Sequence, residues 1–231
     1  MMNKIFRHVD GIRTPPKLEA IETENGRRYI LPNGDIVPSV TTILGHFKKK
    51  ALHEWRRKVG EEEANRISRV ASNRGTKFHK LAEDYFDGKQ LSEIVRPLMP
   101  DMQQSFLSCL DEFNKIDNIH YSEATLYSEI LGIAGRTDLV AEYMNKLSII
   151  DFKTSRKEKT EEQIIDYFLQ GTAYGLMYEE LTGTPIEQVV IIMSSDGLSR
   201  PQVFVKNIVD YIDDLVTVVQ EYKKLDKPKA A

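Results

Sequence analysis

One cysteine in 231 residues excludes an internal disulfide, a cysteine-ligated zinc site and a protein-held iron–sulfur cluster. That residue, Cys109, falls within the apolar pattern Phe106, Leu107, Cys109, Leu110, Phe113, so it is expected to be a small buried hydrophobe. No apolar run approaches the roughly 20 residues that span a bilayer. The stretch Met1-Met2-Asn3-Lys4-Ile5-Phe6-Arg7 lacks the apolar core of a secretory signal, so a cytoplasmic protein without membrane contact is expected. Gly-x-Gly-x-x-Gly, Gly-x-x-x-x-Gly-Lys-Ser/Thr and His-Glu-x-x-His are all missing, which removes the usual signals of dinucleotide, P-loop nucleotide and zinc-protease chemistry. There is also no internal repeat and no low-complexity linker, and one domain over residues 1–231 is expected. With 41% hydrophobic and 29% charged residues, the chain is able to bury a real core.

Charge is scarce in sum and uneven in distribution. Between His46 and Lys80 eleven Lys/Arg stand against four Glu, a surplus of seven positive charges that leaves −10 for the rest of a chain whose total is −3. A local anion-binding surface on an otherwise acidic protein fits that asymmetry. So does a solvated helix face, the commoner meaning of a charge run.

In chain order, residues 1–27 show no strong period. Arg28-Tyr29-Ile30-Leu31, Pro32-Asn33-Gly34-Asp35 and Ile36-Val37 predict a hairpin around an Asn-Gly turn. Ser39 is placed to cap a short helix ending near Gly45, with a second helix over 51–59 carrying the only tryptophan, Trp55, among Arg56, Arg57 and Lys58. An aromatic among cations suits base stacking and phosphate contact. A helical period runs through 61–86 with a kink expected at Gly75 and a cap at Thr76. His79 and Glu83 project from one face of it. Another amphipathic helix is expected over 101–116, strands over 121–131, 189–193 and 202–205, a long helix over 161–181 that puts Gln170 and Tyr174 on a common face, and a last helix over 207–225 before a frayed Lys/Pro tail. Strands mixed with long helices predict an α/β fold, a mixed central sheet flanked by helices. The helical subregion would cover about 39–90 and the sheet core about 119–206.

The richest stretch is 132–155. Two apolar runs, 139–141 and 147–150, flank Met144-Asn145-Lys146 and predict an antiparallel hairpin. A turn centred on Met144-Asn145 sets Asp138 opposite Asp151 and Arg136 opposite Lys153. Alternation then puts Lys153 on the face of Asp151 and sends Phe152 to the other. Opposed carboxylates destabilise a sheet unless something compensates, and a hard divalent ion such as Mg²⁺ would do so. Asp/Glu-x-Lys alone is nearly uninformative: Asp87-Gly88-Lys89, Asp151-Phe152-Lys153 and Glu221-Tyr222-Lys223 all match. Only the middle one follows an apolar strand and faces an acid across a hairpin.

In this context the chain resembles the PD-(D/E)xK nuclease superfamily, in its RecB-like branch, and within that branch the genome-maintenance and phage exonucleases. The elements carrying the resemblance are, in order, Pro38-Ser39-Val40-Thr41 ahead of the basic helices and Trp55, then Gly75-Thr76-Lys77-Phe78-His79 with Glu83, then Gly135-Arg136-Thr137-Asp138, then Ile150-Asp151-Phe152-Lys153-Thr154, then Gln170 with Tyr174. They cover roughly residues 29–205, and their order is far more specific than any one of them. Asp138 follows Thr137 where the family pattern has Pro.

The resemblance implies a restriction-endonuclease-like core with a helical clamp or arch, and a metal-dependent DNA exonuclease preferring single strands or strand ends. It implies His79, Asp138, Asp151 and the Phe152 carbonyl as ligands of Mg²⁺ or Mn²⁺, and Lys153 as the group that holds or helps deprotonate the attacking water. Glu83 would orient His79 or a metal-bound water, while Gln170 and Tyr174 would position the nucleophile side or the DNA backbone. Candidate substrate contacts are Ser39, Thr41, Trp55, Arg56, Arg74, Lys77, Arg136, Thr154 and Ser155. DNA is the expected partner, alongside replication or recombination proteins, in a bacterial or phage-infected cell. Two alternatives remain at this point: a duplex-specific endonuclease of the same fold, and a non-catalytic DNA-binding partner.

Overall fold

The computed structural model describes residues 4–226; the tail expected to fray lies outside them. Three short strands, β1 (Glu19–Thr23), β2 (Gly26–Ile30) and β3 (Ile36–Pro38), form an antiparallel sheet, β1-β2-β3. The hairpin expected around Asn33-Gly34 is β2–β3, with Arg28 opposite Pro38 and Ile30 opposite Ile36. β1 lies in the segment that had no readable period. Its five residues are mostly exposed, so no apolar alternation marks them.

Helices α1 (Val40–Val59) and α2 (Glu61–Phe86) follow, joined at Gly60, whose φ of 93° lies in the region open to glycine. Two expected helices are thus one: α1 runs unbroken through Gly45. Its N-terminal turns are held by Ser39, whose Oγ accepts from Thr42 N–H at 3.0 Å, and by burial of Val40, Ile43 and Leu44. An interior glycine costs only about 1 kcal/mol of helix propensity, less than those anchors supply. Helix α2 likewise runs uninterrupted through Gly75, where a kink followed by a new cap was expected. Phe78, Ala82, Tyr85 and Phe86 are buried along α2, and Thr76 lies inside it and caps nothing. The helix expected over 101–116 is instead divided into α4 (Pro100–Leu107) and α5 (Leu110–Phe113), after the short α3 (Leu91–Val95).

The central sheet has the order β4-β5-β6-β7-β8: β4 (Ile116–Ser128), β5 (Ile133–Tyr143), β6 (Lys146–Ser155), β7 (Gln188–Ser195) and β8 (Gln202–Asn207). It is mixed. β6 and β7 pair in parallel, as their connection through α6 (Ile165–Thr182) requires, and the other neighbours are antiparallel. Helix α7 (Ile212–Leu225) is the last element among the described residues.

Both sheet faces are covered, which is why β7 reads as a continuous apolar run. On one face, Val140, Ile149, Val189 and Ile191 pack with Phe168, Ala173, Tyr174 and Met177 of α6 and Leu215 and Val219 of α7. On the other, Leu139, Ile150, Phe152, Val190 and Ile192 meet Phe78, Ala82 and Phe86 of α2 and Phe106 and Phe113. Phe152 stacks on Phe86 at 5.5 Å between ring centroids. Side chains of β6 therefore alternate as expected, with Phe152 in the α2-side core and Asp151 towards α6. No helix among the described residues is long and apolar enough to cross a membrane.

Candidate active site

The β5–β6 hairpin turns at Met144-Asn145, both in the left-handed region (φ 53° and 64°), as a two-residue type I′ connection requires. The ladder runs from Tyr143 opposite Lys146 to Leu139 opposite Ile150, the register read from the sequence. There it stops. Beyond it the Asp138 carboxylate occupies the place of a backbone acceptor: the Phe152 N–H donates to Asp138 Oδ2 at 2.9 Å. Because the strands part at this point, Arg136 does not end opposite Lys153 as the extrapolated register had it. Its guanidinium turns the other way and pairs with Glu123 at 2.9 Å.

Asp138 is gripped from two sides. Its Oδ1 lies 3.1 Å from His79 Nδ1, projected from α2. Burial alone would push this carboxyl up; the hydrogen bond and charge of His79, with Lys153 and the Phe152 N–H, bring it net below the usual carboxylate range. His79 is correspondingly raised, its burial outweighed by Asp138 and, more weakly, Asp151. Asp151 faces the opposite balance. Burial pushes it up to about 6, with Lys153 opposing and Asp138 adding to the rise. The Lys153 ammonium donates to Asp151 Oδ1 at 2.8 Å and stands 2.6 Å from Oδ2. That second oxygen is buried and has no hydrogen-bond partner among the described residues. Lys153 itself is raised: burial lowers it, but Asp151 and Asp138 more than compensate.

Helix α6 fixes the other side. Gln170 Nε2 donates to Asp151 Oδ1 at 3.2 Å and approaches Tyr174 Oη at 3.4 Å. Tyr174 is buried against Gly135 of β5, where a Cβ would stand 2.7 Å from its ring and 3.0 Å from its hydroxyl. Gly135 is therefore what lets α6 lie this close to the sheet.

These groups open onto a cleft of about 480 Å³ lined by Arg27, Tyr29, Ser39, Thr41, Gly75, Thr76, His79, Lys80, Glu83, Glu123, Gly135, Arg136, Asp138, Gln170 and Tyr174. Ser39, Thr41, Glu83 and Arg136 thus share the cleft with the site, although Glu83 is bonded there to Lys80 at 2.9 Å and not to His79. Arg74, Lys77, Thr154 and Ser155 instead line a separate cavity of about 440 Å³, and Arg74 is paired with Asp196 at 2.5 Å. Trp55 and Arg56 line neither. Arg56 is engaged at the α1–α2 elbow by Glu61 at 3.1 Å and Asn65 at 2.5 Å.

One acidic residue was not anticipated. Glu123, on β4, joins His79 and Asp138 in a trio whose donor atoms all lie within 4.8 Å of one another. Pairing of Ser122 with Leu139 and of Ala124 with Thr137 brackets Glu123 against Asp138. Its carboxyl is raised, by burial first and then by Asp138. Reading a turn at 129–132, with β4 ending at Ser128, would have revealed it; a strand carried to Leu131 does not. Asp151, drawn onto Lys153, stands outside the trio.

This donor set fits a hard divalent ion: carboxylate oxygens with one imidazole, two of the acids raised chiefly by burial, and one buried carboxylate oxygen whose one close polar neighbour among the described residues is the Lys153 ammonium. The sequence model of the PD-(D/E)XK nuclease superfamily matches residues 48–229. Two curated relatives carry the name mitochondrial genome maintenance exonuclease 1. The human protein is 28% identical over 151 residues, 61% of this chain and 43% of its own length. The Xenopus tropicalis protein is 29% identical over 144 residues, 57% of this chain and 40% of its own length. The chain thus spans about two fifths of the relatives it matches.

Proposed function

The chain belongs to the PD-(D/E)XK nuclease superfamily, and from that membership we propose that it is a metal-dependent DNA exonuclease acting on single strands or strand ends. The name of the two relatives supports the exonuclease part of this reading. The observation that carries it is the convergence on one cleft of His79, Glu123 and Asp138, with the Asp151–Lys153 pair joined to the cleft-lining Gln170. A scaffold that had lost catalysis would have no reason to keep an imidazole, an ammonium and these acids bonded to one another in one place.

His79, Asp138 and Asp151, with the Phe152 carbonyl, would hold Mg²⁺ or Mn²⁺, and Glu123 is added here as a further donor. When bound, such an ion polarises a phosphoryl oxygen and lowers the pKa of a coordinated water. The remaining work falls to the chain. Asp138 is held in one rotamer by the Phe152 N–H and His79. Gln170 fixes the Asp151 carboxylate so that Lys153 approaches from a defined side. The Lys153 Nζ donates to the attacking water and to the charge that develops on phosphorus-bound oxygen. Ser39, Thr41 and Arg136 sit where the polynucleotide backbone would enter, and Glu83 where it would order water around His79.

End-labelled linear single strands, circular single strands and linear duplex separate the readings. Linear single strands should be digested only when Mg²⁺ or Mn²⁺ is supplied, with circles surviving. Digestion unaffected by chelator would overturn the metal-dependent reading. Cutting of circles as fast as linear strands would replace the exonuclease with an endonuclease. Glu123→Gln should weaken Mn²⁺ binding, measured by calorimetry, by about tenfold or more; unchanged affinity would remove Glu123 from the donor set.

A further inference from the structure

Helix α6 presents three side chains in register on the sheet: Tyr167, Gln170 and Tyr174, spaced so that they share one stripe. Gln170 meets Asp151 and Tyr174 meets Gly135. Tyr167 meets the lysine, with Lys153 Nζ 4.9 Å from the centroid of its ring. The same ring is approached by Lys48 Nζ of α1 at 5.6 Å, and Lys48 is tied at 2.5 Å to Asp166, the residue preceding Tyr167. One tyrosine therefore carries the ammonium of the site and one from the basic helix.

We propose that Tyr167 is a positioning residue for Lys153: its ring face holds the ammonium in place when Asp151 turns from ion-pair partner to metal donor, and Lys48 with Asp166 clamps the ring against the sheet. The inference rests on the reading of Lys153 as the group that acts on the attacking water. The physical need is specific. Among the described residues, Asp151 is the one carboxylate bonded to Lys153. A divalent ion drawing charge from that carboxylate weakens the pair, and a flexible four-carbon stem then has many rotamers open to it. A ring quadrupole attracts a cation without a charge that would compete for the metal. Asp166 keeps Lys48 from repelling Lys153 across the ring.

The test uses Tyr167→Leu and Tyr167→Phe in the full chain, with Lys153→Ala as reference. In metal-free protein labelled with ¹³C-lysine, the Lys153 ε-methylene signal, assigned by its loss in Lys153→Ala, should carry a ring-current shift. That shift should vanish in Tyr167→Leu and persist in Tyr167→Phe. With metal and linear single-stranded DNA, Tyr167→Leu should lose about tenfold in kcat at unchanged KM, as expected for a lost desolvated cation–π contact, and Tyr167→Phe should restore it. A Lys153 signal indifferent to Tyr167→Leu, or kcat within about twofold of wild type, overturns the proposal. Lys153→Ala retaining full activity would instead overturn the reading beneath it. Should Tyr167→Leu fold poorly, a Tyr167→Phe protein that has lost the shift or the rate counts equally against it.

Discussion

Lys153→Ala will bind single-stranded DNA as the wild type does and cleave it about 10² to 10³ times more slowly, the usual cost of removing one preorganised donor from developing charge. The ammonium is half-buried and aimed by Asp151 at 2.6–2.8 Å, and Asp151 is aimed in turn by Gln170. Arginine should not rescue it, because a planar fork cannot enter a site built around a point charge on a thin stem. Stability provides an independent readout. Taking away the cation strands a carboxylate whose side chain is 3% exposed, and breaking one side of a buried pair costs about 3–5 kcal/mol unless the survivor takes up a proton. Asp151, already pushed up to about 6 with its cation present, can do so, which puts the loss at the low end of that range. The double variant Asp151→Asn, Lys153→Met should recover most of the stability and none of the cleavage. Chemical denaturation of the single and double variants, compared with their rates, separates the two roles; wild-type cleavage by Lys153→Ala would refute the catalytic one.

How far the site could be read from the sequence followed the range of the interactions involved. The β5–β6 register was legible because a two-residue turn at Met144-Asn145 sets it locally, and alternation then assigned Phe152 and Asp151 to opposite faces. The same logic failed just beyond Leu139, where a side chain replaced a backbone acceptor and the strands parted. Nothing in the identity of Arg136 announces that it will face Glu123 across the other hairpin. Glu123 stayed hidden because its placement depends on where β4 ends and on a positive φ of 49° at that very residue. Gly45 and Gly75 misled in the opposite sense. Local propensity marked Gly45 as a helix end and Gly75 as a kink with a new cap, whereas α1 continues from its anchored first turns through Gly45 and α2, with Ala64 and Phe78 buried on either side, runs uninterrupted through Gly75. The basic segment divided in a way charge counting cannot foresee: Arg56 and Arg74 are engaged with Glu61 and Asp196, while Lys48 reaches the ring beside Lys153.

Gly171→Ala is expected to destabilise the protein even though alanine is the better helix former. An interior Gly to Ala change gains about 1 kcal/mol in helix propensity. At this position the new methyl would stand 2.3 Å from Val189 Cγ1, 2.8 Å from Cγ2 and 3.1 Å from Cβ. Val189 is β-branched and lies in the middle of the sheet, so it has no free rotamer to retreat into. Relief must come from α6 lifting off β7, and overpacking of this kind costs about 1–3 kcal/mol. A net loss of up to about 2 kcal/mol lowers Tm by up to about 8 °C in a domain of this size. Activity should fall further than that loss explains. Gly171 follows Gln170 directly and shares its helix with Tyr167 and Tyr174, so a lifted α6 withdraws the contacts to Asp151, Lys153 and Gly135 together. A misplacement near 1 Å is worth about 10²-fold in rate. Val189→Ala in the same chain should make room for the methyl and return much of the rate while leaving stability low, because it adds a truncation of its own. Equal rates for wild type and Gly171→Ala at a temperature where both are folded would show that the site does not depend on how closely α6 seats on the sheet.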